Sequence, residues 1–129
     1  MSTRCLADTS FFIANETGRQ MLLEEIPDEI AISIVTIGEL RAGVLSAKEL
    51  LVRDRRLETL TRALTFDPLP IDLVVASNWA QLRVALQNEG KRMPANDSWI
   101  AATAIAYDMP VLTQDDDYQD VPGLKVLKV

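Results

Sequence analysis

The chain has 129 residues and a formal net charge of −6, with 25% charged and 48% apolar residues. That size suits one domain that buries about two thirds of its unfolded surface, and the balance excludes wholesale disorder. With no histidine and a single cysteine, Cys5, the chain has no Ser-His-Asp or Cys-His triad, no histidine or cysteine zinc site and no internal disulfide.

In chain order, Arg4–Ala7 reads as a short buried strand in which Cys5 is a small hydrophobe rather than a reactive thiol. Asp8 comes too early for a secretory signal, and no apolar run approaches the roughly 20 residues that span a bilayer. A soluble, cytoplasmic protein is expected. Ser10 opens a helical segment, and Pro27-Asp28 turns into a strand at Ile30–Ser33. Ile37, Leu40, Val44 and Leu45 then recur at helical spacing. A second helix is expected over about Ala47–Leu64, followed by an extended piece, Phe66–Ile71, held out of the α region by Pro68 and Pro70.

Asp72 can cap the next helix, whose Val75, Trp79, Leu82 and Leu86 form a stripe ended by Gly90. From Asn96 to Tyr107 an almost wholly apolar, alanine-rich run predicts a buried helix. Strand Val111–Leu112, the acidic turn Gln114–Asp117 and a last strand at Lys125–Val129 follow. Helices between strands imply an α/β fold, a single domain over residues 1–129 with a mainly parallel central sheet flanked by helices.

Four acids occupy similar places in this plan. Asp8 and Asp115 follow strands, while Glu39 and Asp97 lie in the first turns of helices. Parallel sheets bind ligands at the carboxyl ends of their strands, so the fold can gather all four at one edge. Crowded carboxylates repel one another, and a hard divalent cation such as Mg²⁺ or Mn²⁺ removes that penalty. Such an ion activates water for attack on a phosphodiester without histidine. Each acid also has a structural alternative. Asp8 can be an N-cap, Thr36-Ile37-Gly38-Glu39 fits a capping box, Asp97 suits a helix N-terminus with Asn96 as cap, and 115–117 can be a solvated turn.

The contexts of these acids resemble the PIN-domain family. Leu6-Ala7-Asp8-Thr9-Ser10-Phe11-Phe12-Ile13 resembles its opening motif, and Ser33-Ile34-Val35-Thr36-Ile37-Gly38-Glu39-Leu40 its second. Asn96-Asp97-Ser98-Trp99-Ile100-Ala101-Ala102-Thr103-Ala104 is similar to the third, and Leu112-Thr113-Gln114-Asp115-Asp116-Asp117-Tyr118 to the fourth. Val121-Pro122-Gly123-Leu124 and a terminal strand close the chain as in VapC-type toxins.

The resemblance implies a metal-dependent endoribonuclease, the toxin of a toxin–antitoxin pair, with Asp8, Glu39, Asp97 and Asp115 holding Mg²⁺ or Mn²⁺ and orienting water. Asp117 is the family's variable extra acid, Ser10 and Thr113 orient carboxylates, and Tyr118 stands where Phe is common. A VapB-type antitoxin, a homodimer and a structured RNA substrate (tRNA or rRNA) are implied, with DNA contacted only through the antitoxin.

Charge is unevenly spread, at net −5 over residues 1–40, +3 over 41–93 and −4 over 94–129. The basic middle supplies the expected RNA contacts: Arg53, Arg55 or Arg56 on the phosphate backbone, and Lys91-Arg92 flanking the metal edge. The alternative is an ordinary solvated helix face. A receiver domain would pair two acids at the first strand end and a haloacid-dehalogenase-like phosphatase would carry Asp-x-Asp there; Asp8-Thr9-Ser10 is neither. A catalytically silent module that docks an antitoxin or RNA is the remaining alternative.

Overall fold

The structure is a computed structural model that describes residues 4–129, so the Met1–Thr3 part of the opening segment lies outside it. Four strands, β1 (Arg4–Ala7), β2 (Glu29–Ala31), β3 (Val111–Thr113) and β4 (Val126–Lys128), form one sheet in the order β2-β1-β3-β4. Every pairing is parallel, with Leu6 opposite Ala31 on one side of β1 and opposite Val111 on the other. Five α-helices connect the strands: α1 (Thr9–Glu16), α2 (Ile34–Ser46), α3 (Leu50–Leu64), α4 (Leu73–Asn88) and α5 (Ala95–Ala106).

The period-two alternation of the central strands divides the apolar side chains between two cores. Leu6 and Val111 face Leu82 and Leu86 of α4 and Ile100, Ala101 and Ala104 of α5. Cys5, Ala7 and Leu112 face Phe12 of α1, Leu40 of α2, and Leu60 and Ala63 of α3. Helices thus cover both faces, as a parallel sheet requires. Each large apolar side chain so buried stabilises the fold by about 1.5–3 kcal/mol. Three alanines of α5 are fully enclosed, which lets its backbone lie close against the sheet and α4.

Several element ends differ from expectation. The second strand ends at Ala31, because Ser33 leaves the ladder to cap α2, accepting a hydrogen bond from the Val35 N–H at 3.0 Å. Ser33 also bridges to Leu69, so the chain there extends the sheet edge, but the expected extended piece Phe66–Ile71 begins in a turn: the Phe66 N–H bonds the Ala63 carbonyl and Asp67 has φ +51°. Ala47 terminates α2 instead of opening α3. Asp72 caps α4 as expected, accepting from the Val75 N–H at 2.9 Å, and Gly90 follows that helix with φ +66°, where glycine avoids the Cβ clash. Pro94 precedes α5 with no side-chain cap, and Asn96 lies inside its first turn.

A candidate metal centre at the strand ends

From β1 the chain moves to β2 on one side, and after β2 it crosses back over to β3 on the other side of β1, so a crevice opens at the carboxyl ends of β1 and β3. Asp8 stands there as the N-cap of α1, only 2% exposed. One of its carboxylate oxygens, Oδ1, accepts from Ser10 Oγ at 2.6 Å and the Phe11 N–H at 3.3 Å, while Oδ2 accepts from Thr113 Oγ1 at 2.7 Å. The two hydroxyls lie 3.2 Å apart, and each also accepts a backbone N–H, Ser10 from Gln114 and Thr113 from Asp115, both at 2.9 Å. This network locks the β1 and β3 ends together and fixes the turn that carries Asp115.

Glu39 is not part of a capping box, since Ser33 caps α2 and Thr36 is buried in its first turn. Its carboxylate instead faces outward from the helix, accepting Thr9 Oγ1 at 2.6 Å on Oε1 and the Asn96 side-chain amide at 3.4 Å on Oε2. Thr9 and Asn96 therefore position Glu39 between α1 and α5, a role the sequence did not signal. Asp97 accepts the hydroxyl of the fully buried Tyr118 at 3.3 Å. A phenylalanine at this position would leave Asp97 without that donor.

Glu39, Asp97, Asp115 and Asp117 line one open cleft of about 430 Å³, with Pro94, Ala95 and Asn96 completing its wall. Burial and the neighbouring Asp117 push the Asp97 carboxyl up to about 7, with Glu39 adding to the repulsion. Asp115 is raised by burial and by Asp117, and Asp8 by burial, with Asp115 a smaller contribution against its three hydrogen bonds. The phenol of Tyr118 is pushed far up by burial among Asp8, Asp97 and Glu39, so it serves only as a donor to carboxylate.

Arg19 and Lys128 offset only part of the charge at Asp115, and a cluster of carboxylates with no nitrogen or sulfur ligand beside it suits a hard divalent ion. Among the described residues no three acids converge tightly enough to cage an ion by themselves. The donor set therefore fits an ion that keeps part of its water shell, as Mg²⁺ does.

The sequence-predicted basic residues fall in two places. Arg53 donates to the Ala47 carbonyl at 2.9 Å and Arg56 to the Gly43 carbonyl at 2.7 Å, so both guanidinium groups neutralise the C-terminal end of α2. Arg55 is exposed on α3, and none of the three lines the acidic cleft. Lys91 and Arg92, by contrast, share a hollow of about 350 Å³ with Asp116 and Asp117. Lys91 is held there by the Asp120 carbonyl at 2.8 Å and by Glu89 at 3.3 Å.

The PIN domain family profile matches residues 5–124. Ribonuclease VapC5 of Mycobacterium tuberculosis (strain ATCC 25618 / H37Rv) is 44% identical over 122 residues, which cover 95% of this chain and 90% of the relative. Ribonuclease VapC4 of the same strain is 45% identical over 126 residues, or 98% and 97% of the two chains. The crystal structure of VapBC-5 from Mycobacterium tuberculosis, a member of the VapBC family of toxin–antitoxin systems, has a chain that matches with a TM-score of 0.91 at 39% identity, covering 99% of this chain and all of that one. PIN nucleases in general work with a divalent metal ion. Fold, edge of acids and relatives agree, and the chain belongs to the PIN-domain family, among its VapC-type ribonuclease toxins.

Proposed function

We propose that this protein is a Mg²⁺- or Mn²⁺-dependent endoribonuclease acting in the cytoplasm as the toxin of a toxin–antitoxin pair. The observation that carries the reading is the set of Glu39, Asp97, Asp115 and Asp117 lining one cleft, with the buried Asp8 tied to it through Thr113, which also holds the Asp115 N–H. Asp8, Glu39, Asp97 and Asp115 would hold the metal, with Asp117 beside them. The bound ion supplies Lewis acidity toward the scissile phosphate and lowers the pKa of water. Ser10 and Thr113 keep both Asp8 oxygens in place, so this ligand needs no reorganisation when the cation enters. Burial and the nearby Asp117 disfavour the ionised Asp97, and a cation held between the acids would relieve that repulsion. Lys91 and Arg92 at the rim offset the charge of the RNA backbone.

A VapB-type antitoxin is the expected partner, and a homodimer the expected assembly. Leu45, Leu50, Leu51 and Leu73 are 69–85% exposed and supply apolar surface for such contacts. Contact with operator DNA would come through the antitoxin, since an acidic chain repels it. The test is cleavage of a pool of total tRNA and ribosomal RNA by antitoxin-free protein with Mg²⁺, Mn²⁺ or EDTA, beside Asp8→Asn. Discrete fragments that need metal and vanish in the variant support the ribonuclease. Folded protein that cuts nothing with either metal points instead to the silent docking module.

A further inference from the structure

A second cleft, of about 640 Å³, lies beside the acidic one and is lined by Arg83 and Gln87 of α4, the Gly90–Met93 turn and Ser98 of α5. Its chemistry is opposite in sign: Arg83, Lys91 and Arg92 line it, with no carboxylate among its lining residues. A stacked tryptophan pair contacts two of its lining residues, Arg83 and Ser98. The Trp79 and Trp99 rings lie 4.3 Å apart and within 4° of parallel, and Trp79 Nε1 donates to Ser98 Oγ at 3.0 Å. The Arg83 guanidinium sits over the Trp79 ring, 5.3 Å from its centroid. This cation–π contact holds the Arg83 stem in place without consuming its charge. Among the described residues, neither Arg83 nor Arg92 makes an ion pair, whereas Lys91 is partly neutralised by Glu89. The intervening hollow shares Lys91 and Arg92 with the basic cleft, and Pro94 and Asp117 with the acidic one.

We propose that this basic cleft is a phosphate subsite that holds the RNA strand next to the scissile bond, with Arg83 and Arg92 as its two anchoring cations. This deepens the ribonuclease reading and rests on it. An overall charge of −6 pushes RNA away, so substrate must be drawn in by a local patch that adjoins the cleavage edge. The shared Arg92 hollow gives the strand a continuous route from cations to carboxylates. Trp79 already carries Trp99 and Arg83, so its ring serves to aim Arg83 and not to stack a base. Recognition here is therefore of backbone and independent of sequence. Arg83 is thereby a positioning residue for substrate, absent from the motifs that carry the acids.

The test compares wild type, Arg83→Gln/Arg92→Gln and Arg83→Lys/Arg92→Lys. Binding of a fluorescein-labelled single-stranded oligoribonucleotide of mixed sequence is followed by anisotropy across a salt series, and cleavage of total tRNA is followed with Mg²⁺. The glutamine pair should weaken binding about tenfold and reduce the log–log salt slope by about 1.4, two phosphate contacts' worth on a single strand. It should raise KM and leave kcat within about twofold, and the lysine pair should recover most of the loss. Unchanged affinity and slope in the glutamine pair would overturn the proposal. So would displacement of the RNA by poly-glutamate of equal charge, which would assign the cleft to an acidic protein segment. Wild type that binds RNA but never cuts it defeats the ribonuclease reading alone, because the binding arm still decides the cleft.

Discussion

Replacing Asp97 by asparagine should make the metal-free protein more stable at pH 8, although it removes one of the proposed metal ligands. The carboxyl is raised from 3.8 to about 7, a penalty on the ionised form that would be about 4 kcal/mol if the whole shift were felt. Asp97 is only half-buried, and solvent screening brings the expected gain down to about 1–2 kcal/mol. For a chain of this length that is a rise in Tm of about 3–8 °C. The sign follows from proton counting. Between pH 3.8 and about 7 the native state holds a proton that the unfolded chain has released, so wild-type stability falls across that window. The penalty is complete above pH 7 and absent below 3.8, where both states are protonated. The amide introduced by Asp97→Asn keeps an oxygen for the Tyr118 hydroxyl, so the comparison isolates charge. Calorimetric scans of both proteins at about pH 4 and about pH 8 in EDTA should give a gap that opens with pH. Adding Mg²⁺ at about 100 times its Kd should then stabilise wild type by about 2.7 kcal/mol and the variant much less. A gap that is the same at both pH values would refute the electrostatic reasoning.

Thr113→Val removes the hydroxyl that serves both Asp8 and the Asp115 N–H, and should cost about 2–3 kcal/mol in urea unfolding. Its cleavage rate should fall about 10- to 100-fold because two acids lose their orientation. Tyr118→Phe withdraws a donor that favours ionised Asp97, so the acidic limb of the pH–rate profile should move upward; an unmoved limb would count against that hydrogen bond. Arg56→Ala should lower stability by about 1 kcal/mol through the lost helix C-terminal contact, a loss read in thermal scans. Iodoacetamide should leave Cys5 of the folded protein unmodified, since it is fully enclosed with its thiol pushed up to about 11; mass spectrometry after the treatment checks this.

The sheet was legible in the sequence because short apolar runs flanked by turn residues leave few other readings. Asp72 and Gly90 likewise announced the two ends of α4. Local signals misled where two capping residues competed: Ser33 and Thr36 are both good N-caps, and only the Leu69 bridge, a contact 36 residues away in sequence, makes Ser33 the cap. The acids themselves stood out by position. Their supports did not, because Thr9 and Asn96 meet Glu39 across 30 and 57 residues, distances over which no periodicity speaks. Arg53 and Arg56 show the converse. A cluster dense enough to suggest RNA proved to face backbone carbonyls of the preceding helix. The stacked tryptophans, 20 positions apart on two helices, read in sequence only as core stripe and apolar run.

The hydroxyl lock between β1 and β3 also sets a timetable. Asp8 is made well before Thr113, which holds its second oxygen and lies 105 positions later. Asp115 and Asp117 come later still, and β4, which borders β3, ends at Lys128. A nascent chain on the ribosome therefore carries Asp8 and Glu39 long before the strand that completes their cleft has left the exit tunnel. The active edge can close only after residues 113–117 have left the tunnel. A cell making such an enzyme has that interval, on every round of synthesis, in which the ribosome is next to a nuclease that cannot yet cut.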